Sequence, residues 1–436
     1  MAAVNWLTAA IFLVLPAIAF SARRSGGSWY SPAAFFAGFW CIFGGLPLIA
    51  SPVAVPPAGM LFLVAACAVV LLGAWVAKRR LPATAPSTPP LNEPPLLGWF
   101  IAACSLLGVV VVVLILGSIN VPGSANRELS FGGIVATIHE LAIARNAGTW
   151  QEPAIARVLT TAVYLGAMLS GVMIAMRHSG WLRWLSLAVF VPSITITVIL
   201  TTKASLLVPL VLGASSYLAT SVATGRPPGW TLKRTMWLAG GIAVLAVAFV
   251  LVQMVRYAGW SSGQPLAVIQ LLWLDSFPYL GVFSSWFQSN ALSTSLHPAL
   301  GQYTFAGVFE VLHIHTRVAG VYTEQVSIGG STYNIYTAFR GLIEDFTVPG
   351  ALLFLALVGF GAELAYRRVQ SGDLLYVGLL AAFYAATLWS FVVNIFIYNS
   401  IVLAFVVLIG YLAVASRPWV RRAATLLGRP RRVSRA

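Results

Sequence analysis

Apolar runs of roughly 17 to 25 residues recur along the whole chain, and few folds accommodate that pattern. The runs fall near 3–20, 32–50, 58–77, 98–118, 154–176, 184–200, 204–222, 235–253, 349–366, 374–393 and 398–415. A lone segment in hydrocarbon satisfies its backbone only as a helix. The expected fold class is therefore an all-α polytopic membrane protein with about eleven transmembrane helices. Composition agrees: 59% of the 436 residues are hydrophobic and 8% are charged, which no soluble domain of this size requires. The first run lacks a basic leader and a small-residue cleavage site, so it reads as a span and not a signal peptide. Cys41, Cys67 and Cys104 all fall inside spans and read as small core residues, not a disulfide set or a metal site.

The connections between spans alternate in charge. One set carries Arg23 and Arg24; Lys78, Arg79 and Arg80; Arg177 and Arg183; Arg226, Lys233 and Arg234; Arg367 and Arg368; and the tail arginines 417, 421, 422, 429, 431, 432 and 435. These make nineteen of the 26 basic residues, and the positive-inside rule assigns that side to the cytoplasm. The N-terminus is then outside and the C-terminus inside. The formal charge of +15 raises nucleic acid as a partner. Its concentration in short loops and a basic tail points to anionic membrane lipids instead. Four regions follow: 1–153, N-terminal spans with an outer loop at 119–153; 154–253, central spans; 254–348, a large outer loop; and 349–436, C-terminal spans and tail. The large loop is rich in aromatics, and the segment Pro265–Phe287 within it reads as an interfacial or re-entrant helix. A loop this long in a compact protein is usually functional.

The outer side holds the unusual residues. It receives Arg127, Arg145, Arg157, Lys203, Arg256, Arg317 and Arg340, most of the chain's 11 carboxylates, and four of its five histidines, His139, His297, His313 and His315. The charge rule disfavours cations there, so each asks for a reason. The densest stretch is STYNIYTAFRGLIEDFTVPG, Ser331–Gly350, which runs into an apolar helix. It reads as a loop at Asn334 that becomes a helix, with Arg340 and Glu344 on one face at i,i+4. Asp345 lies about 100° further round, and Pro349 suits the first turn of a following helix. A partly buried carboxylate at a membrane surface is suited to act as a general base. Arginines grip phosphate bidentately and stabilise a departing diphosphate.

Plainer readings exist for each residue. Arg157 at a helix end can simply anchor in the headgroups. Arg340 and Glu344 can be a structural ion pair, and Lys203 a helix end cap. His313 and His315 could pair on a strand to hold a metal, but no third ligand is evident. No glycine-rich phosphate loop, HExxH or GxSxG is present, which leaves nucleotide-driven transport and the common hydrolases without support.

At these residues the chain resembles a known family. The pattern Asn334-x-Tyr336-Thr337-x-x-Arg340-x-x-x-x-Asp345-Phe346-x-x-x-Gly350 is similar to the signature of Wzy-type O-antigen polymerases, the oligosaccharide repeat-unit polymerases. TTKAS at Thr201–Ser205, QMVRYAG at Gln253–Gly259, GQYTFAG at Gly301–Gly307, and Glu152-Pro153 with Arg157 agree with it in order. The likeness spans roughly Glu152 to Phe360. Thr347 departs from it, because the family often has glycine there.

The resemblance implies a GT-C-like scaffold in the bacterial inner membrane with its site on the periplasmic face. It implies transfer of a growing glycan from undecaprenyl diphosphate to a lipid-linked repeat unit, without metal or cofactor, alongside a chain-length regulator. In this reading Glu344, Asp345, His315 and Arg340 are the catalytic candidates. Arg157, Lys203, Arg256, Arg317, Asn334, Tyr336, Thr337 and His313 are the substrate contacts. Arg157, Lys203, Arg256 and Arg340 are expected to converge on one cavity. Asp345 is expected to hold Asn334, Tyr336 or Thr337, with Glu344 or a histidine meeting the acceptor hydroxyl. The competing readings are an O-antigen ligase, a flippase or transporter of lipid-linked glycans, and a structural membrane partner. A transporter would place charges within the spans, and they are almost free of them.

Overall fold

The computed structural model describes residues 5–80, 96–119, 131–176, 180–226, 228–229, 231–258, 265–291, 298–314, 326–328 and 331–417. Local chemistry sets the helix ends. In the first pair, α1 (Trp6–Phe12) is capped by the Asn5 side chain, which accepts from Leu7 N. The second helix, α2 (Val14–Gly26), stops where Gly27 takes φ 74° and its N–H returns to Arg23 O, a left-handed glycine C-cap. Pro32 then opens α3 (Pro32–Ala50), where its missing N–H costs nothing. α4 (Pro57–Arg80), α5 (Leu97–Gly117), α6 (Phe131–Asn146) and α7 (Ala154–Ala175) follow. After them come α8 (Trp181–Ala188), α9 (Phe190–Leu200), α10 (Ala204–Ala223) and α11 (Leu232–Ala258).

Among the described residues, nine helical stretches are long and apolar enough to cross a membrane. In that count α1 with α2, and α8 with α9, each make one stretch. Two shorter apolar helices, α16 (Leu375–Trp389) and α17 (Asn399–Ala415), lie where the last two runs were expected. Among the described residues the fold is all-helical apart from one hairpin: β1 (Val326–Ile328) pairs antiparallel with β2 (Ser331–Tyr333), Ser327 opposite Thr332.

The bundle is organised around α15 (Thr337–Gln370), which packs most extensively on α4. Small residues permit the approach. A Cβ added at Gly73 of α4 would lie 1.9 Å from Ala356 O, and one at Gly359 of α15 would lie 2.4 Å from Val70 O. Close backbone contact of this kind is how helices associate where no hydrophobic gain separates protein from lipid.

The segment expected as an interfacial or re-entrant helix is two helices, α12 (Pro265–Ser276) and α13 (Tyr279–Trp286). α13 is not laid across a surface. Tyr279, Leu280, Val282, Phe283 and Trp286 are buried, and α13 packs on α3, α4 and α15. Its aromatics outweigh its amphipathic pattern: Phe283 meets Phe62, Phe287 and Phe339 with ring centroids 5.3–5.9 Å apart across that cluster.

Candidate functional site

The motif stretch is a loop at Asn334–Tyr336 and a helix from Thr337 onward, as its pattern implied. The helix does not stop before the apolar run. It continues as α15 and breaks only at Thr347, where φ 60° and ψ 175° leave helical space. The break has a covalent cause. Pro349 has no N–H, so Asp345 O loses the donor four residues on. Leu300 N takes that carbonyl at 3.1 Å, and Ala299 N takes Glu344 O at 2.9 Å. The φ, ψ of Thr347 lie in a region suited to glycine, at a cost of about 1–3 kcal/mol for any other residue. The departure from the family pattern thus falls at the internal break of α15.

Around the joint, the side chains of Arg340 and Asp345 are turned into protein. Arg340 is 2% exposed. Its Nε donates to Glu344 Oε1 at 2.8 Å, and its guanidinium lies 4.1 Å from the Tyr336 ring centroid and 5.0 Å from that of Trp286. A desolvated cation over aromatic faces is worth about 2 kcal/mol. Removing one member of a buried ion pair costs about 3–5 kcal/mol, because the other is stranded.

Asp345 is fully buried. Oδ1 accepts from Tyr303 N at 3.0 Å and Oδ2 from Thr304 N at 2.5 Å. It does organise a loop, but the loop is 301–304 and not Asn334 to Thr337. Asn334 is exposed. Tyr336 is buried beneath Arg340, and Thr337, with φ 69°, accepts from Phe339 N at 3.4 Å.

From that loop the structure leads to a cavity. Thr304 O accepts from Asn394 Nδ2 at 3.0 Å, and Asn394 Oδ1 accepts from Phe396 N at 3.1 Å. The short helix α14 (Ala306–Val311) follows. Gly307 on it sits so close to α17 that an added Cβ would lie 2.3 Å from Asn399 Oδ1 and 3.0 Å from Ile397 O. One turn on, Glu310 Oε2 accepts from Asn399 Nδ2 at 2.9 Å. Between α7, α14 and α17 lies a cavity of about 720 Å³ whose lining includes Glu152, Arg157, Thr161, Tyr164, Glu310, Tyr398 and Asn399, and the aliphatic Val158, Leu403 and Val406. Burial holds the Glu152 carboxyl above the usual carboxylate range, and the Arg157 guanidinium pulls the other way.

The expected convergence of cations is not what the structure shows. Of Arg157, Lys203, Arg256 and Arg340, Arg157 alone lines this cavity. Arg340 is held in its ion pair. Lys203 is partly buried at the start of α10. Arg256, at the end of α11, belongs with α6: its carbonyl accepts from His139 Nδ1 at 3.1 Å. On the same helix, Arg145 donates to Leu200 O. Burial, and then the charge of Arg256, hold the Arg145 guanidinium below its ordinary range. The four were grouped because each ends a span on one side; of that group this cavity takes in Arg157. His313 is exposed with φ 55°. His315 and Arg317 lie outside the described residues.

Sequence reasoning passed over Glu310, Asn394 and Asn399. The signal available was two asparagines within an otherwise apolar stretch, VVNIFIYNSIVLAF. Comparison with known proteins returned no match, whether to a family model, a curated protein or a solved structure.

Proposed function

We propose that the chain is a glycosyltransferase of the bacterial inner membrane that polymerises undecaprenyl-diphosphate-linked repeat units at the periplasmic face. Eleven spans, an outer N-terminus and an inner C-terminus complete the proposal. One observation carries it. Three stretches that resemble the polymerase pattern separately are joined in space. Asp345 of the first hydrogen-bonds the backbone of Tyr303 and Thr304 in the second. That segment continues to Glu310, which lines one cavity with Glu152 and Arg157 of the third. An acceptor sugar hydroxyl attacks the anomeric carbon of the donor glycan, the glycosyl–phosphate bond breaks with its electron pair leaving on the diphosphate, and the hydroxyl proton passes to a carboxylate. The buried Arg340–Glu344 pair holds the framework.

The test is genetic deletion in the host followed by electrophoresis of its surface glycans. A polymerase leaves single repeat units attached and removes the ladder. Loss of every attached unit would mean transfer to the final acceptor instead, and an unchanged ladder would remove both readings.

A further inference from the structure

The cavity beside Arg157 has the chemistry of a sugar site more than of a phosphate site. Its charged lining is two carboxylates, Glu152 and Glu310, against one guanidinium, Arg157. Ionised carboxylates only accept hydrogen bonds. A diphosphate also only accepts, and it would add negative charge to a lining already negative on balance. A sugar presents hydroxyl donors and no charge. Glu310 is held for such a role by Asn399 Nδ2 at 2.9 Å.

The shape adds the second half of the argument. Arg157, Val158 and Thr161 share one stripe of α7, and Asn399, Leu403 and Val406 share one stripe of α17, all facing the cavity. On α17 the amide of Asn399 sits at the first turn and Leu403 and Val406 follow it, so that wall grades from polar to apolar along the helix axis, while the α7 wall stays polar through Thr160, Thr161 and Tyr164. From Asn399 to Val406 the rise is about 10 Å. The volume, about 720 Å³, falls within the range of small-molecule sites.

We propose that this cavity seats one sugar unit of a membrane-embedded glycolipid, with hydroxyls donating to Glu152 and Glu310 and the chain lying between α7 and α17. That the sugar belongs to the acceptor unit rests on the polymerase reading; the sugar site does not.

The experiment uses full-length protein in lipid nanodiscs and two photoreactive probes. One is dodecyl maltoside with a diazirine at the chain end, and the other is dodecyl phosphate with the same diazirine. Labelled peptides are mapped by mass spectrometry. The maltoside is expected to label α7 and α17 about tenfold more than the phosphate at equal concentration, the ratio for one charge-assisted hydrogen bond. The Glu152→Gln/Glu310→Gln variant is expected to lose that labelling while keeping the wild-type melting profile. Equal or stronger labelling by the phosphate overturns the proposal, as does undiminished maltoside labelling in the variant. If the variant does not fold, the ratio of the two probes on wild type decides alone. Maltoside labelling beside an intact glycan ladder in the deletion strain would keep the sugar site and remove the polymerase. Lost ladders without maltoside labelling would do the reverse.

Discussion

Thr347 and Arg340 show what single residues contribute. Glycine at 347 would relax the positive φ, offset in part by its greater freedom in the unfolded chain. Thr347→Gly is therefore expected to stabilise the protein by about 1 kcal/mol, read as a raised melting temperature in detergent. An unchanged or lowered value would mean that the surrounding aromatics, not the backbone, fix the joint. Arg340→Lys keeps the charge and loses the planar stack over Tyr336 and Trp286. A loss of about 2 kcal/mol is expected, and a wild-type melting temperature would show that the point charge suffices. The i,i+4 pairing of Arg340 with Glu344 was legible in the sequence because helical spacing alone sets it. The partners of Asp345 were not, because they lie some forty positions away on a segment without periodicity.

At the scale of elements, the apolar runs located the helices well, since hydropathy reports a property each helix has by itself. The joint in α15 escaped notice for a related reason. Pro349 announces the start of a helix, but nothing local says that the helix before it continues to meet it. Whether Pro265–Phe287 lay on a surface or turned into the bundle was left open by the sequence, because the burial of α13 depends on neighbours, Phe62 and Phe339 among them. The contact of α14 with α17 makes a sharp test. Gly307→Ala must displace Asn399 or Ile397, with an overpacking cost of about 1–3 kcal/mol. Glycan ladders are expected to be lost, as in Asn399→Ala. Gly361→Ala, with nothing within 4 Å of the added carbon, should leave ladders and melting temperature unchanged. Equal behaviour of the two glycine variants would separate α14 from the activity.

For the whole molecule, charge asymmetry among the loops is the argument for the proposed orientation, a global pattern that needs no tertiary contacts. Reporter fusions at Ser262 and Ser371 are expected to report opposite compartments, and a shared compartment would overturn the arrangement. The architecture also bears on how such a chain is made. The partners of Asp345, on 299–304, emerge from the ribosome before α15 does, so its polar end meets them as it arrives. The cavity is different: Glu152 and Arg157 are synthesised early, whereas Asn399, Leu403 and Val406 belong to α17, which follows every other described element. A nascent chain already threaded through the bilayer as far as α16 therefore has no such cavity. On the proposed reading, competence to engage a glycolipid is withheld until α17 has been inserted, and translation order itself would keep unfinished protein away from its substrate.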